Sequence, residues 1–129
     1  MDAIDKLFGI SPAVLSLRSQ RFELISANLA NADTPGYKAM DIDFAQALSE
    51  VQSQREGWGS ETTRTRHFSS EGTGMEAKYR VPVQPSMDGN TVETDREHAA
   101  FMDNAIRYQA SLSFIDSRVK SIIAALRSE

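Results

Sequence analysis

A chain of 129 residues with a formal charge of −4, 14 Lys plus Arg against 18 Asp plus Glu, holds material for one modest domain and lacks the basic face that a nucleic-acid partner requires. It contains no cysteine, which excludes disulfides, thiolate metal sites and a cysteine nucleophile. Its large apolar residues crowd into residues 7–29 and 101–126, while residues 49–74 are mostly Ser, Thr, Gln, Gly and charge, so two hydrophobic ends flank a polar middle.

The start, MDAIDKLFGIS, has acids where a secretory signal has basic residues and no apolar run behind them. The strongly apolar run near the other end is only IIAAL, far short of the ~20 residues that cross a bilayer, so the chain is expected not to span a membrane. Residues 2–8 read either as a helical turn ending at Gly9 or as a segment that orders only on binding. Ser11-Pro12 then reads as a helix start, with the serine capping free amides and the proline in the first helical position. Along this helix Val14, Leu15, Leu17, Phe22, Leu24, Ile25 and Leu29 form an apolar sector about half the circumference wide, more than one partner helix would cover.

The helix runs out in SANLANADTPGYK. Asparagine is a poor helix former because its amide competes for backbone hydrogen bonds, so Asn28 and Asn31 together suggest a specific contact. Thr34 precedes a proline and is pushed out of the helical region, and Pro35-Gly36 suits the centre of a type II turn. The helix must therefore end by about Asp33 and the chain reverse. Ala27, Ala30 and Ala32 keep the helix end thin enough for another backbone to approach, and the two amides are expected to bond main-chain groups there. The plainer alternative is that they only fray the helix.

Residues 46–53 continue a helical turn after Phe44, and residues 57–74 show no sustained period and read as loop. AKYRVPVQP alternates Tyr79, Val81 and Val83 as a short strand, which Pro82 and Pro85 confine to an edge or to pairing with another subunit. Asp88-Gly89-Asn90 is a turn. It leads into a second helix whose start is marked by Thr94 and Glu97 as a capping box. There Phe101, Ala105, Tyr108, Leu112, Ile115, Val119, Ile122 and Leu126 recur at alternating spacings of four and three, the 3.5-residue repeat of a coiled-coil seam. Asp95, Glu97 and Asp103 lie toward its N-terminal end and Arg118, Lys120 and Arg127 toward the other, as the helix dipole favours.

No constellation for catalysis, cofactor or metal emerges. His67 and His98 stand in no ligand spacing, and no serine lies in a G-x-S-x-G elbow. DGNTVETDRE fails as a calcium loop, with Glu93 where glycine is needed and Ala99 where the bidentate glutamate belongs. The expected fold is all-α, with long N- and C-terminal helices forming an antiparallel coiled-coil hairpin around a polar loop and a short strand. The expected segments are residues 1–48, 49–87 and 88–129.

ANLANADTPGYK resembles the N-terminal signature of the flagellar axial proteins, the rod and hook family, whose usual form is S-x-N-[IL]-A-N-x-x-T-x-G-[YF]. Ser26, Asn28, Leu29, Ala30, Asn31, Thr34, Gly36 and Tyr37 match it. DGNTVETDREHAAFMDNAIRYQASL resembles the turn and helix of the short rod proteins through Asp88, Gly89, Asn90, Val92, Glu97, Asn104 and Tyr108. The likeness covers roughly the first 48 and last 42 residues. Within the family the Pro35 turn and the following DIDFAQAL look most like a proximal rod protein, the other short proximal rod protein being the nearest competitor. A stand-alone coiled-coil adaptor or regulator would account for the heptads but not for these signatures.

The resemblance implies a structural subunit, not an enzyme, that needs no cofactor and is exported unfolded by the flagellar type III apparatus. Its terminal helices would pack antiparallel and build, with other copies of itself, the tubular rod that crosses the periplasmic space, encloses the export channel and transmits torque. Other flagellar rod proteins, a rod-base adaptor and export-gate components would be its neighbours.

Overall fold

Three helices carry most of the described residues of the computed structural model, which are 7–56 and 76–127. In chain order the elements are α1 (Ser11–Ala30), β1 (Met40–Ile42), α2 (Phe44–Glu56), β2 (Ala77–Tyr79) and α3 (Thr94–Arg127). The loop expected over residues 57–74, with His67, lies outside the described residues, as do residues 2–6 of the expected first turn.

Pro12 stands in the first turn of α1, but Ser11 is not its cap. Ile10 holds the cap position with near-helical angles, φ −80 and ψ −10, and no side chain caps the free amides. The cause lies just upstream: Gly9, at φ 59, turns the chain so that it enters α1 already wound. Leu17 and Ile25 are fully buried, Val14, Phe22, Leu24 and Leu29 half-buried, and Pro12, Ser16, Ser19, Glu23, Ser26 and Ala30 form the outward face.

β1 and β2 pair antiparallel, with Met40 opposite Tyr79, Asp41 opposite Lys78 and Ile42 opposite Ala77. The strand expected over Tyr79, Val81 and Val83 is thus displaced, and its partner lies in the same chain. Pairing stops after Arg80, whose N–H donates to the Ala39 carbonyl at 2.8 Å; Pro82 has no N–H to continue it, and Val81 and Val83 are exposed. Asp43 starts α2 by accepting from the Gln46 amide at 3.2 Å, and α2 is longer than the turn read from the sequence. The core here is small: Leu17, Ile42 and Ala47, with Leu24, Phe44 and Leu48 packed around them.

α3 has 34 residues, about 51 Å at 1.5 Å per residue, without a glycine or proline. The expected capping box does not form. Thr94 is already helical, and the Glu97 side chain turns inward and is fully buried, where a charge demands partners. Contacts of α3 with α1 and the residues before it run from Asn28 with Glu97, through the Phe22 ring edge-on to Phe101 and Tyr108 at 5.0 and 5.8 Å, to Arg118 Nε donating to the carbonyl of Leu7, upstream of α1, at 2.6 Å. Of the expected seam, Ala105, Tyr108, Ile115, Val119 and Ile122 are half-buried, while Phe101 (39 %), Leu112 (36 %) and Leu126 (75 %) are exposed. Among the described residues no helix is long and apolar enough to cross a membrane.

Candidate functional site

The two motif-bearing segments, residues 26–41 and 88–97, meet at the C-terminal end of α1. There the chain turns at Thr34–Tyr37: Gly36 has φ 72 and the Tyr37 amide donates to the Thr34 carbonyl at 3.2 Å, the geometry of a type II turn. Thr34, Pro35 and Gly36 are exposed, and Tyr37 is half-buried. A second turn, with Gly89 at φ 77, lies alongside the first. The Gly36 amide donates to the Asp88 carbonyl at 2.9 Å and the Thr91 amide to the Tyr37 carbonyl at 3.0 Å. Thr91 Oγ1 accepts from the Ala39 amide at 2.7 Å, and Lys38 Nζ donates to the Gly89 carbonyl at 2.8 Å.

A helix end leaves its last carbonyls without partners inside the helix. Here the Asn31 and Ala32 amides fold back onto the carbonyls of Ala27, Asn28 and Leu29. Asn90, only 6 % exposed, holds the turn that follows: its Nδ2 donates to the carbonyls of Asn31, Ala32 and Thr34 at 3.0, 2.8 and 2.8 Å, and its Oδ1 accepts from the Val92 amide at 2.7 Å. The turn that leaves α1 is therefore held by the segment that opens α3.

Asn28 and Asn31 serve different ends. Asn28 is fully buried; its Nδ2 donates to the Met40 carbonyl at 2.8 Å and its Oδ1 accepts from the Met40 amide at 3.1 Å, so the side chain acts as an extra peptide group beside β1. The same Nδ2 reaches Glu97 Oε2 at 3.2 Å. Asn31 stays local: its Nδ2 donates to the Ala27 carbonyl at 2.8 Å and its Oδ1 accepts from Thr34 Oγ1 at 3.2 Å.

Four charges complete the clasp. Arg21 donates through Nε and Nη2 to the two oxygens of Asp41 at 2.9 and 3.0 Å. Arg80 bridges Asp41 Oδ2 at 2.7 Å and Glu97 Oε1 at 2.6 Å. Burial pushes the Asp41 carboxyl up, but hydrogen bonds from Arg21 and Arg80 outweigh it and hold the group below its ordinary value. Its hydrogen bond to Asp41 holds the Arg21 guanidinium above its own. α1, β1, the segment after β2 and α3 each contribute one charged group.

The model of the flagella basal body rod protein family matches residues 15–38, most of α1 and the turn that follows. Over nearly the full length the chain is similar to flagellar basal body rod proteins FlgB: 47 % identical to that of Aeromonas hydrophila over 98 % of this chain and 97 % of that protein. It is 46 % identical to that of Proteus mirabilis strain HI4320, over 98 % of each chain, and 42 % to that of Escherichia coli K12, over 99 % and 98 %. The chain belongs to the flagellar basal body rod protein family. Its role in that family is that of a structural rod subunit, and its place is the flagellar basal body.

For this rod protein the clasp is structural chemistry. Its carboxylates are occupied by arginines, and among the described residues no group of His, Cys, Asp and Glu is placed to hold a metal ion. His98 is exposed in the first turn of α3. Arg21, Asp41 and Arg80 are absent from the site residues read out of the sequence. The available signal was a charge at an inward position in an otherwise apolar setting, Arg21 beside Phe22 and Asp41 between Met40 and Ile42.

Proposed function

We propose that this rod subunit assembles through α1 and α3, packed as an antiparallel coiled-coil hairpin, into the tubular axial structure that encloses the export channel and transmits torque. The observation that carries this reading is the unfinished surface of α3. Beyond Phe101, Leu112 and Leu126, the side chains of Met102, Ile106 and Phe114 are about 70 % exposed (69, 72 and 74 %), more apolar surface on one helix than an isolated monomer keeps uncovered.

Other copies of the chain, other rod proteins, and the adaptor and export gate at the rod base are the partners that would cover it. Residues 1–48 and 88–129 form the two assembling ends, and residues 49–87 the connection between them. The subunit crosses the export apparatus unfolded, and contacts between subunits then supply stability that a small core cannot.

The test is Leu112→Asp in cells whose only copy of the subunit is the variant. Because Leu112 is about a third exposed in the chain, the folded monomer should lose only about 1 kcal/mol, whereas basal-body rods and motility should be lost. Motile cells with intact rods would sink this account of α3.

A further inference from the structure

Arg18 stands on the inward face of α1, 9 % exposed, with its guanidinium carbon 4.4 Å from the centre of the Phe44 ring on α2. The clasp arginines have their carboxylates, but among the described residues none holds Arg18. The acid in its field, Asp103, is taken by Arg107 Nε, which donates to both its oxygens at 2.9 Å. Buried Arg18 Nε lacks a hydrogen-bond acceptor and Asn104 Oδ1 on α3 lacks a donor, although Asn104 Nδ2 donates to the Arg18 carbonyl at 2.9 Å. Burial, then the nearby charges of Arg107 and Arg21, push the Arg18 guanidinium below its ordinary value. A desolvated cation without an anion is costly, and stacking on one aromatic ring offsets only part of that.

We propose that Arg18 is one half of a salt bridge between subunits, its guanidinium on Phe44 receiving a carboxylate from a second copy of this chain. The proposal rests on the assembly reading above. Charge complementarity names the occupant: the chain carries 18 acidic residues against 14 basic ones, and exposed carboxylates such as Glu23 and Asp95 have no ion-pair partner among the described residues. A planar guanidinium set over a ring offers such a group a fork of donors that a lysine ammonium cannot reproduce.

The experiment uses the full chain as wild type, Arg18→Met and Arg18→Lys. Thermal unfolding is followed on dilute monomer, and self-association by sedimentation over a wide concentration range. Methionine keeps the stem over Phe44 and drops the charge. Arg18→Met monomer should therefore unfold at the wild-type temperature or above, while its association weakens about tenfold or more, as expected when a desolvated arginine loses its carboxylate. Arg18→Lys should recover part of the association.

A fall in the unfolding temperature of the Arg18→Met monomer would place the carboxylate in the same chain and overturn the proposal. So would wild-type association of that variant. Wild type that stays monomeric at every concentration would instead refute the assembly reading, and the bridge with it.

Discussion

Replacing Asn28 or Asn31 by alanine, one at a time, separates two asparagines that look equivalent in the sequence. Asn28 is fully buried and makes three hydrogen bonds of 2.8 to 3.2 Å, two with the Met40 backbone and one with the Glu97 carboxylate. At about 1 kcal/mol for each neutral bond and about 2 for the one to a charged group, Asn28→Ala should cost about 4 kcal/mol, since the Met40 amide and carbonyl lose a partner. Asn31 makes one bond to its own helix and accepts one from exposed Thr34, so Asn31→Ala should cost about 1 kcal/mol or less. Urea unfolding of dilute protein, followed by far-ultraviolet circular dichroism, measures both. For a chain of this size the first loss corresponds to a fall in melting temperature of about 15 °C and the second to a few degrees. Equal losses, or a larger one for Asn31, would refute the division of labour drawn from these contacts.

Three further outcomes are expected. The Asp41 pKa is depressed in the folded chain, so its stabilisation is full above the unfolded value of about 3.9 and is lost as pH falls through the lower folded value. A stability profile against pH should therefore drop on the acid side below about pH 4, and Asp41→Asn should be less stable at neutral pH with a flatter acid limb. Gly36→Ala should cost roughly 1–2 kcal/mol, because nothing crowds a methyl group there and only the positive φ of 72 resists it; differential scanning calorimetry reads this directly. Asn90→Leu should leave the Ala32 carbonyl without its donor and take one of two donors from the Asn31 and Thr34 carbonyls, costing about 2 kcal/mol, with amide hydrogen exchange speeding up first around residues 31–37.

What could be read from the sequence was what local chemistry determines. α1, the Thr34–Tyr37 turn and α3 follow from helical periodicity and from the backbone preferences of proline and glycine, which act within a few residues. β1 escaped because three residues, Met40–Ile42, offer no alternation to detect, and α2 was shortened because its outer face is nearly all polar. Glu97 was misjudged for a physical reason: a glutamate three residues after a threonine satisfies the capping rule, yet the same carboxylate serves better against Arg80 and Asn28 once the fold brings them near. Asn90 likewise looked like a turn residue. Nothing within ten residues of it reveals that its amide holds the turn after a helix that ended 60 positions earlier.

α3 runs 34 residues from Thr94 to Arg127 without a proline or glycine, the residues at which helices most often kink. As a mechanical element it is a single beam with no joint along its span. Stress applied at either end is passed on along the helix, and the joint it meets at its N-terminal end is the beam's root. That root is the Asp88–Val92 turn, held by Asn90, Thr91 and Lys38 rather than by apolar packing. Short, directional bonds of this kind resist a change of angle at the foot of the beam more than a change of pressure.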